Sequence, residues 1–332
     1  RFGLGAIKGV GSIAAEAIIE ERKKNGNYKT FIDFLKRIDS KVVNKRVLEA
    51  MAYGGVFDNI SNVNRANFFK IEDDLTFIEN AIIYKSQISK KNEKRNQLTM
   101  FDSTTMDEIT DEPVLSKTHS WSKLDLLNKE KEVLGLYASG HPLDDYRFEV
   151  KNICSHQIKD IDLFEKPVKS FTFSGYVKSH IERMSKNNQP YGILTLEDYS
   201  GTREFRLFGE NYIKFRNFYI EHTLLFFSAS MITSKWSNEN LRFQVTDVFF
   251  LSDVSKKNIN EIMFLIPLEE INDKNIEKIL DIFSKYPGKH NLKINIFSDD
   301  VIIPFISKKF QVGVCTKFIN EMSSISNNFV VK

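Results

Sequence analysis

Three stretches of alternating apolar and polar residues decide the fold: FTFSGYVKSHI at residues 171–181, YGILTLEDY at 191–199 and TREFRLF at 202–208. Alternation with a period of two predicts half-buried β-strands. Two further strand-like runs, at 223–233 and 241–251, follow a helical segment at 210–219. Because three strands, a helix and two strands are the order of an OB-fold β-barrel, we predict an OB-fold domain over residues 169–256.

On either side of this region the pattern changes. Apolar residues recur at helical spacing near the N-terminus, which predicts a helical domain over residues 1–85. A polar stretch at 86–118 is expected to be an exposed linker, and a helical connector at 119–168 contains a helix from Lys123 to Gly135. After residue 257, predicted strands (262–267, 292–297, 301–306, 310–314) and helices (274–286, 316–322) indicate a small α/β C-terminal domain at 257–332. The fold class is therefore α+β multidomain.

The overall charge is nearly balanced, but it is unevenly distributed. The 332 residues include 47 Lys and Arg against 44 Asp and Glu, a net charge of +3. The first sixty residues alone carry eleven basic and seven acidic residues, so the remainder is slightly acidic. This composition excludes a strongly basic, histone-like protein and an acidic tail protein. The excess positive charge lies where the helical domain is predicted.

The cysteines and the apolar runs limit the class of protein further. Cys154 and Cys315 are far apart in the sequence, which supports neither a disulfide framework nor a cysteine zinc site, and a reducing cytoplasm is the expected location. No stretch approaches the ~20 apolar residues of a membrane helix, so we expect no membrane partner. The chain starts at Arg1 within a glycine-rich phrase, and we expect it to be a fragment of a longer protein.

The segment IKGVGSIA at residues 7–14 has the composition of a helix-hairpin-helix motif. Gly9 and Gly11 permit a tight turn and a close approach of backbone N–H groups to a phosphate, while Val10 anchors the hairpin in the core. Lys8, the basic run at residues 22–24 and the local excess of positive charge favour sequence-independent contact with DNA phosphates. Lys45 and Arg46 are further candidate DNA contacts. The alternative is a tight turn between helices with no ligand.

Residues Gln97, Leu98, Thr99, Met100 and Phe101 are unusual because they place apolar side chains in the predicted linker. Large apolar side chains in an exposed segment indicate a docking motif for a partner pocket, oriented by the Gln97 amide. The alternative is a short helix that folds back on its own domain.

The outer face of the predicted barrel has the composition of a site for single-stranded nucleic acid. If Leu194 and Leu207 point inward, alternation places aromatic and basic side chains on the outside. Aromatic rings stack on bases and cations pair with the backbone. The candidate residues are Lys178, Arg183, Tyr191, Arg206 and Phe208. The alternative is a protein-docking barrel, since Glu197, Asp198 and Glu204 dilute the positive charge.

We identify no catalytic or metal-binding residue in the chain. Asp160 and Asp162 form a D-x-D pair, but no third acidic residue or glycine-rich phosphate loop lies nearby, so a metal-dependent nuclease is a minor alternative. His141 has no evident nucleophile beside it and is expected to be a hydrogen-bonded loop histidine.

Three phrases carry a family resemblance: RFGLGAIKGVG at 1–11, NKRVLEAMAYGGVFD at 44–58 and EKEVLGLYASGHPL at 130–143. They resemble the C-terminal half of the bacterial DNA polymerase III alpha subunit family of replicative polymerases. The resemblance implies that Gly9–Gly11 hold duplex DNA, that Gln97–Phe101 bind the sliding clamp (beta subunit), and that the OB domain touches single-stranded template. It also implies that residues beyond about Ile259 meet the clamp-loader tau subunit.

The same resemblance implies that the catalytic aspartates and the Mg²⁺ of the parent polymerase lie upstream, and that this fragment holds no cofactor. We therefore predict the DNA- and clamp-binding portion of a replicative DNA polymerase, itself without catalytic residues. The alternative is a free-standing OB-fold module that binds proteins or single-stranded DNA.

Overall fold

The chain consists of two units, and the boundary between them lies between His141 and Pro142. The first unit is Arg1–His141 and the second unit is Pro142–Lys332. The computed structural model describes residues 3–61, 63–97, 111–115, 120–234, 237–299 and 301–332. Each unit has its own buried apolar core.

Helices form most of the first unit. Three of them are preceded by a capping residue whose side chain accepts a hydrogen bond from the first turn: Thr30, Asn44 and Ser122. A short antiparallel pair, β1 (Ile71–Glu72) and β2 (Leu75–Thr76), precedes the longest helix. The helices are α1 (Ser12–Asn25), α2 (Phe31–Arg37), α3 (Lys45–Tyr53), α4 (Asp58–Ser61), α5 (Phe77–Gln97) and α6 (Lys123–Leu134).

Helix α5 continues to Gln97, although the sequence predicted an exposed linker from residue 86. The apolar residues of its second half are sparse, so hydrophobic periodicity fades before the helix ends. Of the predicted connector at 119–168, α6 lies in the first unit and α7 (Arg147–Asn152) in the second.

A five-stranded antiparallel sheet follows α7 in the second unit. Its strand order is β5-β4-β3-β6-β7, with α8 (Glu210–Phe215) between the third and fourth strands in sequence. The predicted inward residues are buried, including Leu194 and Leu207. The strands are β3 (Val168–Met184), β4 (Pro190–Asp198), β5 (Gly201–Phe208), β6 (Leu224–Ser234) and β7 (Ser237–Phe250).

The predicted order of three strands, a helix and two strands is therefore observed, but a closed barrel is not. Strands β5 and β7 are the edges of the sheet, and no strand pairing among the described residues joins them. The fold is therefore mixed α+β, and the sheets among the described residues are open rather than closed into barrels.

A second, four-stranded sheet lies near the C-terminus, with strand order β10-β9-β8-β11. Strands β8 and β9 are parallel, and the crossover that parallel pairing requires contains α10. The elements are α9 (Leu251–Asn258), β8 (Glu261–Pro267), α10 (Asp273–Lys285), β9 (Pro287–Ser298), β10 (Val301–Val312), α11 (Thr316–Met322) and β11 (Phe329–Val331).

One prediction for this region was wrong in detail, and two elements were missed. The runs at 301–306 and 310–314 were expected to be separate strands, whereas β10 is one strand with an irregularity in its pairing between Ile306 and Gln311. Helix α9 and strand β11 were not predicted: both are short, and α9 directly follows the apolar residues that end β7.

Candidate nucleic-acid interface

The glycine hairpin has the geometry that the sequence predicted. Gly9 adopts φ +98°, a conformation that residues with a Cβ rarely adopt. Val10 is only 5% exposed and belongs to the core of the first unit, and its N–H donates to the Ile7 carbonyl at 2.9 Å. Gly11 and Ser12 are exposed at the start of α1, where backbone N–H groups lack helical partners. The start of α1 can therefore accept a phosphate.

A second contact holds the hairpin in place. The Lys8 backbone N–H donates to the Val133 carbonyl of α6 at 2.8 Å, while the Lys8 side chain is exposed. Val133 is buried in the same core. Helix α6 thus braces the hairpin and leaves the Lys8 cation at the surface.

Two further predicted DNA contacts, Lys45 and Arg46, lie at the start of α3 and differ in their charge environment. The Lys45 Nζ pairs with Glu79 at 2.7 Å and with Glu49 at 3.7 Å. The hydrogen bond from Lys45, assisted by those from Thr76, lowers the pKa of Glu79 to about 2. Arg46 is exposed and forms no ion pair with the described residues. Arg46 is thus the better placed of the two to meet a phosphate.

The carboxylate of Glu130 ties three segments of the first unit together. It accepts hydrogen bonds from the Ser139 hydroxyl at 2.6 Å, from the N–H groups of Ala138 and Ser139 at 2.8 Å, and from Arg65 Nη1 at 3.0 Å. Arg65 also pairs with Asp58. Sequence patterns did not indicate this network, because Arg65 is 65 positions from Glu130 along the chain.

The predicted outer face of the second unit contains a row of three side chains on adjacent strands. In the pairing register, Arg183 of β3 lies opposite Tyr191 of β4, which lies opposite Phe208 of β5. The Tyr191 and Phe208 rings stack with centroids 5.1 Å apart, and Phe208 is 45% exposed. This row of Arg183, Tyr191 and Phe208, which we call the outer row, offers aromatic surface beside a cation.

The remaining two predicted residues of this face lie beside the outer row. Arg206 is opposite Ile193 in the register and pairs with Glu204 at 3.1 Å, so part of its charge is balanced. Lys178 is the extra residue of a β-bulge between Val177 and Ser179, and its side chain is exposed.

A glycine in the middle strand shapes this end of the sheet. A Cβ at Gly192 would lie 2.3 Å from the Tyr212 ring, so only glycine allows that ring to pack across β4. Tyr212 is fully buried. Its burial, and to a lesser degree its hydrogen bond to Glu182, raise the pKa of its hydroxyl. The hydroxyl therefore remains a hydrogen-bond donor at neutral pH.

Sequence reasoning missed one feature of this region. An open cleft of about 360 Å³ lies between the two edge strands, and it includes Arg242 and Phe243 of β7 as well as Asn211. Arg242 follows a polar stretch and gives no distinctive sequence signal.

The candidate docking segment falls almost entirely outside the described residues. Gln97 is the last residue of α5, and Leu98, Thr99, Met100 and Phe101 lie beyond the part that the structure describes.

The residues considered for catalysis have structural partners. The Asp160 carboxylate accepts from the Gln157 N–H at 2.7 Å, and Asp162 pairs with Arg203 at 2.8 Å. The half-buried His141 ring packs edge-on against Tyr137. Within the described ranges, no three His, Cys, Asp or Glu side chains are grouped to hold a metal ion, and no helix is long and apolar enough to span a membrane.

Comparison with known proteins identifies similarity at two levels. Residues 1–68 match the family model for the helix-hairpin-helix motif. DNA polymerase III subunit alpha of Borreliella burgdorferi is 31% identical over 274 residues, which cover 82% of this chain and 23% of that protein. The Pasteurella multocida subunit is 28% identical over 287 residues, 86% of this chain and 24% of that protein.

The chain thus spans about a quarter of the length of these curated relatives, and it resembles a C-terminal part of DNA polymerase III subunit alpha. Among solved structures, a mitochondrial single-stranded DNA binding protein from S. cerevisiae is 21% identical, with 25% of this chain and 94% of that chain covered and a TM-score of 0.19. A TM-score this low carries no argument about function.

Proposed function

We propose that this chain is the DNA-handling and clamp-docking portion of a replicative DNA polymerase. The observation that carries the proposal is the outer row, in which the half-buried Tyr191 ring stacks on the exposed Phe208 ring beside Arg183, in a chain of which most resembles DNA polymerase III subunit alpha. Nucleotide addition and its Mg²⁺ belong, in this proposal, to the part of the polymerase that this chain does not cover.

In the first unit, the hairpin grips the backbone of duplex DNA. Support comes from the Gly9 turn, the free N–H groups at the start of α1 and the exposed cations of Lys8 and Arg46. Contacts of this kind go to phosphates and carry no base information, so binding is independent of sequence and weakens with salt.

In the second unit, the five-stranded sheet contacts single-stranded template in an OB-type arrangement. Support comes from the order of three strands, a helix and two strands, and from edge strands β5 and β7 that line one cleft. Adjacent strands are about 4.8 Å apart, so the outer row spans roughly 10 Å, the length of about three stacked bases.

Residues Gln97–Phe101 dock the sliding clamp. This part of the proposal depends on the sequence of the segment, with Leu98, Met100 and Phe101 as apolar anchors. Tethering to the clamp raises the effective concentration of DNA near the hairpin and the sheet, so that modest DNA contacts give long residence.

The C-terminal sheet meets the clamp loader through its tau subunit. Support comes from the edge strand β10, which exposes a run of apolar side chains. An exposed apolar edge strand is typical of a protein interface. The residues are Val301, Ile302, Ile303, Phe305 and Ile306.

Single-strand binding is tested by replacing Tyr191 and Phe208 with alanine and titrating a fluorescent oligo-dT with the chain. Each lost base stack is expected to cost about 1–3 kcal/mol of binding free energy. Phe250→Ala removes a phenylalanine of β7 that is 36% exposed, against 45% for Phe208, and serves as the control. Equal affinities of the double variant and the control would overturn the assignment of this face.

Clamp docking is tested by replacing Gln97 and Phe101 with alanine and titrating the purified sliding clamp. The proposal predicts loss of clamp binding with no change in the circular dichroism spectrum. An unchanged affinity would refute the docking role of this segment.

A further inference from the structure

The cleft between the two edge strands of the five-stranded sheet has its own chemistry. It is lined by residues of β5, of β7 and of the intervening helix α8: Arg206, Leu207, Phe208, Asn211, Leu241, Arg242 and Phe243. These seven residues include two guanidinium groups, one amide and two phenylalanine rings, and none is acidic. A cleft of about 360 Å³ is at the lower end of the size range for small-ligand sites.

The two arginines of the cleft differ in how their charge is used. Arg206 pairs with Glu204 on its own strand, 3.1 Å away. Arg242 is exposed and forms no ion pair with the described residues of the chain. Its guanidinium is thus not shared with any carboxylate of the described residues, and its planar set of donors matches a phosphate group.

The cleft continues directly from the outer row. Phe208 belongs to both, since it stacks on Tyr191 and also lines the cleft. A strand of nucleic acid that crosses from β3 through β4 to β5 therefore arrives at the cleft after its last contact with the outer row. The amide of Asn211 and the ring of Phe243 are suited to the edge and the face of a base.

We propose that the cleft binds one further nucleotide of the single strand, with Arg242 on its phosphate and its base between the β5 and β7 walls. This inference rests on the proposed single-strand binding by the outer row. It adds a contact that the outer row does not supply, so the complete site is about one nucleotide longer than the outer row.

The test measures the affinity of the 332-residue chain for oligo-dT of increasing length, about four to twelve nucleotides, within the range that such sheets cover. Arg242→Ala is compared with Arg147→Ala, an exposed arginine of α7 that does not line the cleft. For oligomers long enough to reach the cleft, loss of a charge-assisted phosphate contact is expected to weaken binding about tenfold. For the shortest oligomers, the two variants are expected to bind alike.

Salt dependence and rescue sharpen the test. Arg242→Ala is expected to make the salt slope for long oligomers less steep by about 0.7, and Arg242→Lys to restore that slope. If Arg242→Ala and Arg147→Ala bind alike at every length while the wild-type chain still binds oligo-dT, the cleft proposal is wrong and the outer-row proposal stands. If the wild-type chain binds no oligo-dT, both proposals are wrong.

Discussion

Replacing Glu130 with alanine should strongly destabilise the first unit. The carboxylate is 1% exposed and accepts hydrogen bonds from Arg65, Ala138 and Ser139. Removing one partner of a buried ion pair costs about 3–5 kcal/mol of unfolding free energy. Arg65 keeps Asp58 as a partner, and Ala138 and Ser139 are exposed to water, so we expect the low end, about 3 kcal/mol.

The assay is urea unfolding of the chain, monitored by the helical signal in circular dichroism. Glu132→Ala is the matched control, because Glu132 is on the same helix, is exposed and lies 3.8 Å from Lys129. An exposed pair of this kind contributes about 0–1 kcal/mol. The reasoning is refuted if the two variants unfold at the same urea concentration with the same slope.

The same network should depend on pH. Burial by itself raises the pKa of Glu130, but the hydrogen bonds from Ser139, Arg65 and Ala138 outweigh burial and hold the pKa below its ordinary value of 4.5. A group with a lowered folded-state pKa stabilises the fold above its unfolded-state pKa. The stability difference between the wild-type chain and Glu130→Ala should therefore shrink as pH falls below about 4.5.

Three other expectations concern single residues. Lys8→Ala should make the salt slope of duplex DNA binding less steep by about 0.9. Lys45→Ala should change this slope less, because Lys45 is ion-paired. A salt titration in which Lys8→Ala and the wild-type chain have equal slopes would count against a phosphate contact by Lys8. Gly192→Ala should lower the unfolding free energy by about 1–3 kcal/mol through collision with Tyr212, measured by urea unfolding, and wild-type stability would show that the ring moves freely. Because the folded-state pKa of Glu79 is lowered, the wild-type chain should lose stability as pH falls from 4.5 toward about 2. Glu79→Gln should remove this contribution to the loss. Acid-unfolding curves that are identical for the variant and the wild-type chain would argue against the lowered pKa.

The residues that sequence analysis placed correctly are those governed by local pattern. Alternation put Leu194 and Leu207 inside and Phe208 outside, and the structure confirms all three. The spacing of Gly9 and Val10 predicted a tight turn with a buried anchor, and both features are observed.

The features that sequence analysis missed depend on residues distant in the sequence. The ion pair between Lys45 and Glu79 joins positions 34 apart, and Arg65 reaches Glu130 across 65 residues. Hydrophobic periodicity does not predict such pairs, because the packing of the helices determines which charged side chains lie close together. The position of Arg242 in the cleft depends in the same way on the approach of two edge strands.

The most direct test of the central claim is retention of the chain on primer–template DNA carrying a loaded sliding clamp. Four proteins are compared: the wild-type chain, the Gln97→Ala/Phe101→Ala variant, the Tyr191→Ala/Phe208→Ala variant and the combination of all four changes. If weak DNA contacts are multiplied by tethering, each pair of changes should shorten the residence time, and the combination should shorten it by about the product of the two factors. Residence times that do not change when the clamp is loaded, or that the four changes leave unaltered, would contradict the account.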